Sequence, residues 1–110
     1  MSTLSASVSA GESGPLIVLT GEADITTAAE LNELVTGQLT ERTLHLTIDV
    51  RGLDFADTAA IQVFLLAART LRQRGGGLVL LRPPRALARV LEILGAGEVI
   101  MIRTEPDTAL

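Results

Sequence analysis

The sequence predicts an α/β fold in a single domain over residues 1–110, and three observations support this prediction. Segments of strand-type composition alternate with segments whose apolar residues follow helical spacing, in the order β-β-α-β-α-β-α. The chain has 110 residues, which is room for one domain with one core. Hydrophobic residues make up 47% and charged residues 20% of it, as is typical of folded rather than disordered proteins.

The first third of the chain predicts two strands and a helix. A weak strand near 4–8 is expected to pair with a stronger one over 15–22 through the glycine-containing turn between them. Apolar residues at helical spacing then predict a helix ending near Leu39. Thr27 with Glu30 three residues later matches a capping box, so the helix is expected to begin near Thr26 or Thr27.

The clearest strand covers residues 44–50, where polar and apolar residues alternate. One face carries the apolar side chains, and His45, Thr47 and Asp49 lie on the other, which indicates a sheet with one face covered and one more polar. A long amphipathic helix is predicted over 58–73. Three glycines, 75–77, end this helix and allow the chain to reverse.

The last third predicts a short apolar strand over 78–81, a helix over 85–94 and a weak final strand over 99–102. Strand–helix–strand units of this length imply parallel neighbouring strands, right-handed crossovers and helices packed on the sheet.

Composition excludes much catalytic chemistry. The 13 acidic residues outnumber the nine basic ones, all of them Arg, and the net charge is −4. This balance argues against sequence-independent binding of nucleic acid. Because Cys and Lys are absent and there is one His, we expect no thiol nucleophile, Schiff-base lysine, Cys/His zinc cluster or other cofactor. We therefore expect a protein that is not an enzyme.

The sequence also favours a soluble, cytoplasmic protein. Residues 1–14 lack the basic and apolar regions of a signal peptide. The longest apolar stretches, 63–68 and 78–81, are too short for a bilayer, so no membrane insertion is expected. The absence of Cys fits a reducing compartment.

Two candidates for chemistry have ordinary structural interpretations. His45 lies in mid-strand with no acid or nucleophile nearby in sequence, so we interpret it as a surface residue. Gly75–Gly77 follow a helix, whereas phosphate-binding loops follow a strand and open a helix. We interpret these glycines as a turn.

One acidic segment is a better candidate. Residues 54–60 are expected in the loop after the alternating strand, at the start of the longest helix, where functional surfaces of parallel sheets gather. Asp57 or Thr58 is expected to be the N-cap of that helix. A phosphate on Thr58 would be tolerated there, because the helix start favours negative charge.

These patterns resemble the STAS-domain family of bacterial anti-sigma-factor antagonists over about residues 16–102. The resemblance rests on six segments in the right order and spacing: Gly21–Asp24, Thr27–Ala28, Ile48–Val50, Leu53–Thr58, Arg74–Leu80 and Val90–Gly95. Each segment is weakly specific alone, and together they are fairly specific.

The resemblance implies a four- to five-stranded mixed sheet with helices mainly on one face. It also implies that the unphosphorylated protein binds an anti-sigma factor, frees the sigma factor and so regulates transcription indirectly. The partner, which carries the ATP, phosphorylates a Ser or Thr after an Asp and thereby blocks binding. Thr58 after Asp57 matches that position, and Asp24 matches the family's acid beside the same surface.

The expected partner-binding set therefore consists of Asp24, Asp57, Thr58, Ala59, Ala60, Ile61 and Gln62. The last four depart from the family pattern, which has a second hydroxyl and glycines after the acceptor. This departure leaves open an alternative: an unphosphorylated STAS subunit of a larger assembly, such as a lipid-transport ABC complex or a stress-signalling scaffold. The sequence also leaves open the sigma factor, the oligomeric state and direct binding of a nucleotide or lipid.

Overall fold

The computed structural model describes residues 2–104, which form one five-stranded sheet and three helices. The strands are Leu4–Ala10 (β1), Pro15–Ala23 (β2), His45–Ala56 (β3), Gly77–Leu81 (β4) and Met101–Arg103 (β5). The helices are Ala28–Gly37 (α1), Thr58–Gln73 (α2) and Arg85–Ile93 (α3), and a short 3-10 turn covers Ala96–Glu98.

The sheet is mixed, as expected, with the strands in the order β1-β2-β3-β4-β5. β1 pairs antiparallel with β2, and every later pair of neighbours is parallel. Three consecutive crossovers therefore step in the same direction, and right-handed crossovers put all three helices on one face of the sheet. In the part of the chain described, no helix is both long and apolar enough to span a membrane.

Burial follows this one-sided packing. In β3 the side chains of Leu46, Ile48 and Val50 are fully buried, while His45, the first residue of the strand, is exposed. α2 supplies the largest helical share of the core, with Phe64 and Leu71 fully buried. The expectation that His45 is a surface residue is confirmed.

β3 is longer than the sequence predicts, and this changes the context of the acidic segment. The sequence pattern ends the strand at Val50 and leaves Asp54 and its neighbours in a loop, whereas in the structure the strand continues to Ala56. The extension pairs with the end of β2, where Ala23 lies opposite Ala56. Irregularities in the β2–β3 register accommodate this pairing, and hydrophobic alternation alone does not reveal them.

The predicted capping box at the start of α1 is wrong. The helix begins at Ala28 with Thr27 at the N-cap position, as expected, but the Thr27 side chain makes no capping bond. Its hydroxyl instead donates to the Glu22 carbonyl at 2.9 Å and accepts the Asp24 N–H at 3.0 Å. The hydroxyl is engaged by the end of β2 and by the loop that follows it, and Thr27 is buried there.

The start of the final strand shifts by two residues from its predicted position. The final strand begins at Met101 rather than Val99, because residues 96–98 form the 3-10 turn. The glycine turn after α2 is confirmed, with Gly75 at φ +86°. The Arg74 side chain donates to the Thr40 carbonyl at 2.6 Å and so ties the end of α2 to the loop between α1 and β3.

Candidate functional site

The acidic residues Asp24 and Asp57 lie at the same edge of the sheet. Asp24 immediately follows β2 and Asp57 immediately follows β3. Because β2 and β3 are parallel neighbours, with Ala23 opposite Ala56, their carboxyl ends lie side by side. This is the edge at which ligands and partners commonly bind in sheets of this kind.

The Asp57 carboxylate joins the two chain segments. One oxygen accepts the Ala59 N–H at 3.0 Å and so caps α2, which confirms Asp57 as the N-cap. The other oxygen accepts the Ile25 N–H at 3.2 Å. The Asp57 N–H donates to the Ala23 carbonyl at 3.0 Å, so the loop after β2 is tied to the start of α2 through both backbone and side chain.

Asp24 organises its own loop. One carboxylate oxygen accepts from the Thr26 N–H at 2.9 Å and the Thr26 hydroxyl at 2.6 Å, and the other accepts from the Ser2 hydroxyl. The Ser2 bond contributes most, followed by the Thr26 hydroxyl, to lowering the pKa of Asp24 from its ordinary 3.8 to about 2. Asp24 is therefore ionised at neutral pH and committed to its own loop.

The remaining members of the expected set divide between surface and core. Thr58, the first residue of α2, and Gln62 are exposed, and Ala59 is half-buried. Ala60 and Ile61 are only 0% and 1% exposed and belong to the hydrophobic core. A partner docking on this surface can reach Thr58 and Gln62, whereas Ala60 and Ile61 support the surface from beneath.

Two exposed apolar residues extend this surface and were missed from the sequence. Ile25, whose amide Asp57 holds, is 77% exposed, and Leu66 on α2 is 56% exposed. Thr58, Gln62 and Leu66 are spaced four residues apart and so share one side of α2. We call Ile25, Thr58, Gln62 and Leu66 together the α2 face. A signal for Leu66 was present, because it falls outside the apolar stripe of its helix.

The arrangement is suited to binding. Within residues 2–104, no group of three or more His, Asp or Glu side chains is placed to hold a metal ion. His45 pairs with Gly77 at the amino end of β3, so the sheet separates it from the Asp24 and Asp57 edge. What the site offers is an exposed hydroxyl at a helix start, flanked by exposed apolar side chains.

Comparison with known proteins finds a family model and relatives that cover most of this chain. Residues 6–103 match the family model described as "Mlab, STAS domain". The chain is 29% identical over 109 residues to the anti-sigma-F factor antagonist RsfA of Mycobacterium tuberculosis, covering 97% of this chain and 85% of the relative. It is 32% identical over 87 residues to an anti-sigma-B factor antagonist of Listeria monocytogenes, covering 79% and 76%.

The fold is also found among solved structures. An anti-sigma factor antagonist from Mycobacterium paratuberculosis superposes with a TM-score of 0.85 at 16% identity, covering 96% of this chain and 89% of that one. At this identity the likeness shows a shared fold.

Proposed function

The chain belongs to the STAS-domain family of anti-sigma-factor antagonists, and on that premise we propose that it binds an anti-sigma factor through the α2 face and is released by phosphorylation of Thr58. In this proposal the unphosphorylated chain occupies the anti-sigma factor and so frees the sigma factor. The anti-sigma factor itself is the kinase and carries the ATP, and this chain is the regulated substrate rather than an enzyme.

The observation that carries the proposal is the position of the Thr58 hydroxyl. Thr58 is exposed and is the first residue of α2, directly after the capping residue Asp57. A kinase must reach an acceptor hydroxyl from solvent, and the position meets that requirement. It also matches the acceptor position of the family, a hydroxyl residue following an Asp at the start of the second helix.

The neighbourhood of Thr58 supports docking of the unphosphorylated form. Ile25 and Leu66 present apolar surface, and Leu66 also lines a groove of about 110 Å³ between α1 and α2. Exposed apolar side chains beside polar ones are the usual composition of a protein–protein contact. The hydrogen bond from Ile25 to Asp57 fixes the loop before the partner arrives, which lowers the entropy cost of binding.

Phosphorylation of Thr58 would make docking on the α2 face unfavourable. A phosphate adds about −1.5 to −2 charges at neutral pH. It would stand beside the carboxylate of Asp57 and among the apolar residues of the α2 face, where a partner cannot cover it without desolvating it. A tenfold to hundredfold loss of affinity needs only about 1.4 to 2.8 kcal/mol. The helix start tolerates the charge, so the domain itself stays folded.

The departure at Ala59–Gln62 bears on the choice of kinase. Ala60 and Gln62 stand where the family pattern has the smaller, more flexible glycine, and Ala60 lies in the core. Ala60 therefore stiffens the helix start without adding exposed bulk. Gln62 is the departing residue that a partner meets directly, because it is exposed one turn after Thr58. Specificity for the cognate partner is therefore assigned to Gln62.

A second candidate function is a STAS subunit that is never phosphorylated and works inside a larger assembly, such as a lipid-transport complex. The same departure at Ala59–Gln62 favours it, because the second hydroxyl after the acceptor is missing. With this second function, Thr58 is only the first residue of α2, and the α2 face is a permanent contact with another subunit.

The experiment that separates the two functions is affinity capture from the native host, with the purified chain as bait. The first function predicts capture of an anti-sigma factor, and addition of ATP and Mg²⁺ then releases the wild-type chain but not Thr58→Ala. The second predicts capture of transport or scaffold subunits, with no release by ATP. Recovery of an anti-sigma factor that ATP does not release would refute the phosphorylation step while leaving the binding partner established.

A further inference from the structure

We propose that two copies of this chain pair through their β1 strands, antiparallel, to continue the sheet from one copy into the other. The inference is independent of the anti-sigma proposal, because it uses a different edge of the molecule. β1 lies at the end of the five-stranded order, so its outer side faces no strand among the described residues.

The register shows which backbone groups of β1 are free to pair. The Glu22 N–H donates to the Thr3 carbonyl at 2.9 Å, and the Gly11 N–H donates to the Gly14 carbonyl at 2.7 Å. Both pairs continue the β1–β2 register, in which hydrogen-bonded and non-bonded pairs alternate. The odd-numbered residues of β1 therefore bond to β2. The even-numbered residues Leu4, Ala6, Val8 and Ala10 direct their N–H and C=O groups outward.

The β1 edge lacks the sequence features that normally prevent a strand of another chain from pairing with an exposed edge. Long exposed edges usually carry Lys, Pro, a bulge or an inward-pointing charge. β1 has seven residues, no charge and no Pro, and its register against β2 is continuous. At the opposite edge of the sheet, β5 has three residues and ends at Arg103, so that edge is short and charged.

A second copy fits β1 better than an unrelated strand because β1 is complementary to itself. Its even-numbered side chains are apolar, and its odd-numbered side chains within the strand are Ser. Antiparallel pairing centred on Ser7 places Ala6 opposite Val8 of the second copy and aligns the outward groups of both strands. Apolar residues then meet apolar residues and Ser meets Ser. Val8, which is 43% exposed, becomes covered.

Charge also favours this edge over the rest of the surface. Each copy carries a net charge of −4, so association through acidic surfaces is opposed, whereas β1 itself is uncharged. Pairing of two seven-residue strands buries less than the roughly 800 Å² per partner of a standard interface, so the dimer is expected to be weak and concentration-dependent. Antiparallel pairing places the two α2 faces at opposite ends of the joined edge, where both are available.

The test is sedimentation velocity of the full chain over a concentration series, with variants that address β1 alone. Ala6→Pro removes an outward N–H without removing a bond to β2, and Ala6→Val keeps that N–H. Ser7→Lys places like charges together at the centre of the pair. We expect the wild type and Ala6→Val to approach twice the monomer mass at high concentration, and Ala6→Pro and Ser7→Lys to dissociate at least tenfold more readily.

Two results would overturn the proposal. One is a wild-type chain that remains monomeric throughout the series. The other is a dimer that Ser7→Lys, still folded by circular dichroism, leaves unchanged, because the interface then lies elsewhere. Ser7→Lys keeps the test valid if Ala6→Pro fails to fold.

Discussion

Asp57 caps α2 with one carboxylate oxygen and holds the Ile25 amide with the other, at 3.0 Å to Ala59 and 3.2 Å to Ile25. A single side chain thus fixes both the helix start that bears Thr58 and the loop that presents Ile25. The stability of α2 and the shape of the α2 face are therefore coupled. A change at Asp57 alters both, whereas a change at Ile25 alters the face alone.

Asp57→Ala is expected to destabilise the domain by about 1–2 kcal/mol, because α2 loses its capping acceptor and the Ile25 amide loses its partner. Urea unfolding followed by circular dichroism measures the free energy of unfolding. Asp57→Asn keeps one oxygen to cap α2, since Asn is an equally good N-cap, but turns an NH2 group towards the Ile25 N–H. It should therefore destabilise the domain less than Asp57→Ala does. Equal losses in the two variants would contradict the capping role.

Asp24 is expected to make stability depend on pH in the acid range. Its pKa in the folded state is about 2 against an ordinary 3.8, so the carboxylate stabilises the fold above pH 3.8. That contribution is lost as the pH falls from 3.8 towards 2. Thermal unfolding between pH 5 and 2 should show a smaller acid-induced drop for Asp24→Asn than for the wild type. Asp54→Asn, at an exposed residue of β3, is the control and should follow the wild type. Parallel curves for all three proteins would contradict the assignment.

Ile25→Ser is expected to weaken binding of the anti-sigma factor about tenfold while leaving the melting temperature unchanged, because the side chain is 77% exposed. Calorimetric titration gives the dissociation constant. Ile93→Ser is a close control, since Ile93 is 74% exposed but lies on α3, outside the α2 face. Equal effects of the two substitutions would show that the partner does not select the α2 face.

Gly76→Ala is expected to destabilise the domain by more than about 2 kcal/mol, because a Cβ at this position would lie 1.7 Å from the Leu44 carbonyl oxygen. The start of β3 would have to move to accept it. Gly77→Ala meets no atom within 4 Å and should stay within about 0.5 kcal/mol of the wild type in the same urea titration. A mild effect of Gly76→Ala would mean that the turn relaxes without disturbing β3.

Much of the fold could be predicted from local patterns. Helical spacing and the glycine turn predicted α2 with its observed bounds, Thr58–Gln73. The alternation around Ile48 predicted the covered face of β3, and strand–helix–strand order predicted parallel neighbours. These features depend on contacts close in sequence, where periodicity and turn chemistry decide the structure.

The misses arise from contacts that local periodicity does not reveal. β3 runs on to Ala56 because β2 provides a pairing partner through register irregularities. The Thr27 hydroxyl makes no capping bond because it donates to the Glu22 carbonyl and accepts from the Asp24 N–H instead. The predicted site is a set of residues around Asp57 and Thr58, but the sequence could not show that Asp57 reaches Ile25, 32 residues away.

The most direct test of the central claim is the dissociation constant between this chain and its anti-sigma factor, measured by calorimetry before and after phosphorylation by that factor with ATP and Mg²⁺. Mass spectrometry of the product assigns the modified residue. We expect one phosphate on Thr58, binding at least tenfold weaker than before, and no phosphate on Thr58→Ala. A phosphate on another residue, or an unchanged dissociation constant once Thr58 is phosphorylated, would contradict that claim.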